Sequence, residues 1–212
     1  MCDNIIGTLF SIDEKTKDNL NSQLDLQALT IRNELHLIES KNKFILLATC
    51  YSLTLNEIKE FCKFLKSIKA PNSYSFNISH YVQLNERKIY DLKLPDGHVL
   101  MQQLLPLIVH GVPHKNVCGV IIELSKFFKQ LCSKVLETNH LHQLENDIIV
   151  ILCKMEQIFL PSFFDIMVHL LMHLASEAKV EGLLQYHCMY PIKWYCYNFI
   201  SIILFYFILY YV

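Results

Sequence analysis

The chain has 212 residues, with 19 basic and 20 acidic side chains and a formal net charge of −1. That balance excludes the global basic excess of a typical nucleic-acid binder and leaves only local basic clusters for phosphate contact. Gly and Pro number 5 and 6, too few for a sandwich of many short strands and favourable to long helices. The hydrophobic share is 52% and the mean hydropathy +0.27. Part of this lies in Trp194–Val212, which carries no charge and 5 of the 11 Tyr.

The 8 Cys are scattered, with no C-x-x-C pair. The N-terminal MCDNIIGTLF has neither a basic region nor a long apolar segment of the signal-peptide kind. Buried free thiols in a reducing compartment are therefore expected, rather than a disulfide framework.

In chain order, Leu20, Leu24, Ala28, Ile31, Leu35 and Ile38 recur at spacings of three and four. They predict one apolar helical stripe over 16–39, with room for an interruption in the middle. Residues 43–52 form a short apolar stretch, a strand or an extended segment. Thr54 and Glu57 have capping-box spacing, and Ile58, Phe61, Leu65 and Ile68 follow as a helix face that Pro71, Asn72 and Ser73 end. Residues 70–95 show no period and read as a long connection.

Asp96 can cap a helix carrying Leu100, Leu104 and Leu107, in which Pro106 forces a kink or an end. Gly111-Val112-Pro113 is a break. Val117, Ile121, Leu124, Phe128, Leu131 and Val135 mark the next helix; Leu141, Leu144, Ile148, Ile151, Met155 and Ile158 mark another. Pro161 suits the first position of a further helix, faced by Phe164, Met167, Leu171, Leu174 and Ala178. The fold class expected is mainly α: a helical, bundle-like domain with an irregular N-terminal half and a hydrophobic C-terminal segment.

Candidate chemistry is sparse. Asp165, His169 and His173 stand at i, i+4, i+8 and would line one side of a helix, a spacing at which imidazoles can share zinc. The same side carries Ser176 and Lys179, so an ordinary polar face is the preferred reading and the metal set the weaker one. No Glu follows His169, which excludes the metalloprotease version. His140 and His142 do not share a helix face, and His98 and His110 have no evident partner. Cys62 and Cys132 have no local base that would make them nucleophiles. No phosphate-cradling loop and no nucleophile elbow occurs, so neither a catalytic residue nor a cofactor is expected. Lys59, Lys63, Lys66 and Lys69 fall near one side of the 54–69 helix and offer at most a weak nucleic-acid contact, diluted by Glu57 and Glu60.

Several strings are familiar: CDNIIGTL (2–9), EFCKFLKSIKAP (60–71), HVLMQQLLP (98–106), FFKQLCSK (127–134), PSFFDIMVHLLMHL (161–174) and MYP (189–191). In this order they resemble plant proteins encoded by CACTA-type (En/Spm) DNA transposons. Residues from about 90 to 191 resemble the transposase-associated domain of unknown function 4218. Residues 1–89 resemble the segment that links a transposase core to it. The resemblance implies a nuclear, transposase-associated role, with strand transfer supplied by an upstream catalytic region and transposase as a partner. Similar proteins show a Ser-His-Asp-Cys-His pattern where this chain has Leu94, Pro95, Asp96, Gly97 and His98. They continue after MYP with Phe-Glu-Arg, where this chain has Ile192, Lys193 and Trp194.

The tail 194–212 is long enough, as a helix of roughly 28 Å, to cross a bilayer core as a C-terminal anchor. A translated intron or a frameshift is the competing origin, since the residues favoured there have AT-rich codons. On that reading the chain is a truncated, non-catalytic piece of a larger product.

Overall fold

The computed structural model describes residues 2–12, 15–40, 43–68, 78–86, 88–89, 97, 99–109, 114–133 and 135–182. The architecture is mainly α. Its described helices are α1 (Cys2–Leu9), α2 (Leu20–Leu29), α3 (Leu55–Ser67), α4 (Leu105–Val109), α5 (Lys115–Leu131), α6 (Thr138–Ile158), α7 (Ile166–His169) and α8 (Leu171–Glu181). Two antiparallel hairpins interrupt the first half: β1 (Ile38–Ser40) with β2 (Lys43–Ile45), and β3 (Val82–Gln83) with β4 (Lys88–Ile89).

The C-terminal half follows its periodicity closely. Along α5, Val117, Ile121, Leu124 and Leu131 are buried; along α6, Leu141, Leu144, Ile148, Ile151 and Met155 are. α5 packs between α4 and α6, and α6 packs on α8. α5 stops at Leu131, so Val135 lies outside it and is 75% exposed. The helix expected from Pro161 starts later. Pro161 opens a single 3₁₀ turn to Phe163, and Asp165 then caps α7.

Pro106 has the effect its chemistry requires. It cannot donate to the carbonyl of residue 102, and the preceding turn, Leu100–Leu104, widens so that Leu105 N–H bonds Leu100 O, an i to i−5 bond. The chain thereby continues into α4 instead of ending. Asp96, His98, His110 and Gly111–Pro113 lie outside the described residues, as does the whole tail 194–212. Among the described residues no helix is long and apolar enough to cross a membrane.

The first half departs from its pattern at α2. The stripe over 16–39 is not one helix: Thr30 and Arg32 take left-handed φ values of 58° and 50°, and a 3₁₀ turn and β1 follow. The buried side of α2 is Ser22, Gln23 and Leu26, whereas Leu20, Leu24, Leu29 and Ile31 are exposed. The cause is what α2 lies against. Gln23 is fully buried. Its Nε2 donates to Leu47 O at 2.9 Å, and its Oε1 accepts from Leu47 N at 3.1 Å. The amide thus pairs with a backbone residue as a neighbouring strand would, a task no aliphatic side chain can perform.

α3 forms as predicted. Thr54 Oγ1 accepts from Glu57 N, and the Glu57 carboxylate accepts from Thr54 N at 2.7 Å, while Ile58, Phe61 and Leu65 are buried. In α1, Gly7 permits a close approach. A Cβ there would lie 2.7 Å from Lys15 O, which accounts for the glycine in the string CDNIIGTL.

Buried side chains from Ile5 to Ala178 form one contiguous cluster. Its centre is aromatic. Phe159 stacks on Phe163 at 4.4 Å between ring centroids and meets Tyr51 at 4.9 Å, and Phe10 meets Phe61 edge-on at 4.6 Å. The irregular N-terminal half and the helical half therefore share a core.

Candidate functional site

Asp165, the carboxylate of the sequence-predicted set, sits just before α7 and not on a helix with the two histidines. Its Oδ1 accepts from Met167 N and Val168 N at 3.0 and 3.2 Å, which caps α7. Its Oδ2 accepts from Asn4 Nδ2 at 2.8 Å and pairs with Lys17 Nζ at 3.1 Å. Partial burial pushes its acidity down. The bonds from Lys17, Asn4 and the Val168 N–H outweigh that and hold the carboxyl below its ordinary value. Ser162 Oγ adds a bond to Lys17 O at 2.6 Å. Asp165 thus fastens α1 and the 15–18 segment onto the α7 end of the bundle.

His169 and His173 come together without it. Both are exposed, and their rings meet edge to face at 5.5 Å between centroids, across the break at Leu170 that separates α7 from α8. Among the described residues no group of three or more His, Cys, Asp and Glu side chains is arranged to hold a metal ion. His142 faces α8, where Lys179 Nζ reaches its Nδ1 at 3.0 Å and also bonds Glu145. The bond from Lys179 holds the Glu145 carboxyl below its ordinary value. His140 lines the opposite side of α6.

The basic face of α3 is largely engaged. Lys63 pairs with Glu60 at 2.7 Å, and Lys66 Nζ donates to Ser79 O and Val82 O at 2.7 and 3.1 Å. Lys66 thereby ties α3 to β3. Lys59 is exposed, and Lys69 lies outside the described residues. The thiols divide. Cys62 is buried and burial pushes its pKa up, whereas Cys50 and Cys153 are exposed, contrary to the expectation of uniformly buried cysteines.

A small buried polar cluster lies between α2 and the 47–53 segment. Asp18 accepts from Gln23 Nε2 at 3.1 Å, and Thr49 Oγ1 and Ser52 Oγ bond at 2.7 Å. Burial raises the Asp18 carboxyl above its ordinary value. Among the described residues the Tyr51 hydroxyl is buried without a well-formed hydrogen bond; burial drives its pKa well up, and the nearby Thr49 side chain offsets only part of that. Next to this cluster, the Arg32 guanidinium donates to Ile158 O at 3.0 Å and to Glu156 O, covering two terminal carbonyls of α6. Asn4, Lys17, Gln23 and Arg32 belong to no recognisable motif. Apart from the Gln23–Asp18 bond, the partners that define their roles are 24 to 161 residues away in the chain, so local spacing gives little signal of them.

Among the described residues, one open surface is polar and another apolar. A shallow groove of about 350 Å³ runs between α5 and α6, lined by Lys126, Phe127, Gln130 and Asp147 and bridged by Lys154, whose Nζ meets both Glu123 oxygens at 2.8 Å. The second surface is apolar. Leu20, Leu24, Ile38, Phe44, Ile45 and Leu46 are 39, 38, 51, 54, 48 and 44% exposed, all within one short stretch of chain.

No curated protein and no solved structure matches the chain. Residues 131–203 match the family model of a domain of unknown function (DUF4218). The match takes in α6, α7 and α8. It starts well after residue 90, where the sequence resemblance was expected to begin, and runs past Pro191 through the first ten residues of the charge-free tail. The family pattern therefore does not stop where the tail's composition begins, and similarity to this domain family is what the comparisons establish.

Proposed function

We propose that the chain is an accessory or interaction domain of a transposon-encoded protein and performs no strand-transfer chemistry of its own. The ordered strings and the DUF4218 match over 131–203 support the lineage. The observation that carries the absence of chemistry is the use made of Asp165. The carboxylate best placed for metal binding already accepts four donors and joins two parts of the fold. Two-metal strand transfer needs carboxylates with open coordination positions. The partner this reading implies is a transposase catalytic region. The purified chain, incubated with duplex DNA and Mg²⁺ or Mn²⁺, is expected to neither nick nor join strands, and a metal-dependent product abolished by His169→Ala would overturn the proposal.

A second reading rests on the tail. Nineteen residues without a charge, preceded by Lys193, suit a C-terminal membrane anchor. The expressed chain would then resist carbonate extraction from membranes, and deletion of 194–212 would release it. Recovery of the intact chain in the soluble fraction would remove this reading.

A further inference from the structure

Among the described residues the β1–β2 hairpin is a sheet of two strands, so each strand has one unpaired edge. Among the described residues both faces remain partly open. Ile38 pairs with Ile45 across the strands on one side, and Phe44 lies opposite Glu39 on the other, with all three apolar side chains about half exposed. An isolated hairpin of this size is marginal in water. This one is nevertheless held extended at its end, because the Gln23 amide bonds both backbone groups of Leu47. Leu20 and Leu24, also partly exposed, share one side of α2, the helix that carries Gln23. The edge is thus preformed and unsatisfied.

We propose that β2 pairs antiparallel with β2 of a second copy of this chain, centred on Ile45, to give a two-fold, four-stranded sheet. The choice of edge follows from the side chains. Self-pairing through β1 about Glu39 would set Glu39 against Glu39, and like charges directly opposite are destabilising. Self-pairing through β2 sets Ile45 against Ile45 and Phe44 against Leu46, with no charge among the three. A β1-to-β2 contact between copies would not close and would grow into a chain of molecules, whereas the two-fold β2 pairing terminates. The six exposed residues present on the order of 500 Å² per copy, short of the roughly 800 Å² that each partner of a standard interface buries. An interface of that size belongs to the weak, transient class.

The test is sedimentation velocity of the full chain in density-matched detergent, from about 1 to 100 µM. The wild type should pass from monomer to dimer over that range. Ile45→Lys and Phe44→Lys should remain monomeric, with helical circular dichroism unchanged, and Glu39→Lys on the opposite edge should dimerise as the wild type does. A wild type that stays monomeric throughout, or a dimer that survives Ile45→Lys, overturns the proposal. The second outcome would place any self-association elsewhere, including in the apolar tail. This result is independent of the accessory-domain reading, which fails on strand-transfer activity and not on oligomeric state.

Discussion

Three side chains in the polar part of the molecule make opposite demands on the fold. The folded-state pKa of Asp165 is depressed. Its stabilising contribution is therefore present above its unfolded value of about 3.9 and is lost as pH falls through the lower folded value. Asp18 has the reverse sign. Burial raises its carboxyl, so the fold favours the protonated acid, and that contribution is lost as pH rises through the folded value. Denaturant unfolding at pH 7 should show Asp165→Asn destabilised by about 1–2 kcal/mol, as expected for a lost helix cap. The deficit should shrink towards pH 3. Asp18→Asn, which keeps an oxygen for Gln23, should be at least as stable as the wild type at pH 7. Tyr51→Phe removes a buried hydroxyl that makes no well-formed bond among the described residues and should cost less than about 0.5 kcal/mol or stabilise, since the penalty lies in the unmade bond. A loss above 2 kcal/mol in that variant would mean that the hydroxyl is bonded after all.

At the level of elements, what could be read from sequence depended on whether a helix packs by apolar contact or by backbone bonding. α5 and α6 bury a regular stripe against flat helical neighbours, so their faces follow from spacing alone. The capping box of α3 is local, within three residues, and was equally legible. α2 misleads because its spacing of leucines is real while its buried side is Ser22, Gln23 and Leu26. Only the position of Leu47, 24 residues on, decides which face turns inward. The i, i+4, i+8 spacing of Asp165, His169 and His173 assumes one continuous helix, whereas Asp165 lies before α7 as its cap and Leu170 separates α7 from α8. Gln23→Leu should keep the volume but leave Leu47 N–H and C=O unsatisfied, at a cost of about 2–4 kcal/mol. Hydrogen exchange should then show β1 and β2 deprotected before α5 and α6. Arg32→Ala should fray the last turn of α6 and cost about 1–2 kcal/mol, with Arg32→Lys recovering only part, because one ammonium lacks the two-pronged geometry that meets both carbonyls.

For the whole molecule, the stretch resembling a known family and the stretch that folds do not have the same limits. The matched residues 131–203 contribute Phe159 and Phe163 to the core. Tyr51, from the first half, meets the Phe159 ring, and the clamps that join the two halves are Asn4, Lys17 and Arg32. A boundary drawn by sequence similarity would therefore cut through the centre of the packing. A fragment beginning at residue 131 should retain helical far-ultraviolet dichroism while binding 1-anilinonaphthalene-8-sulfonate and melting without a cooperative transition. A sharp transition from that fragment would show it to be self-sufficient. By the same logic, residues 1–130 supplied as a separate polypeptide should restore cooperativity, with α5 packing on α6 and the Tyr51 ring closing over Phe159 as two chains instead of one.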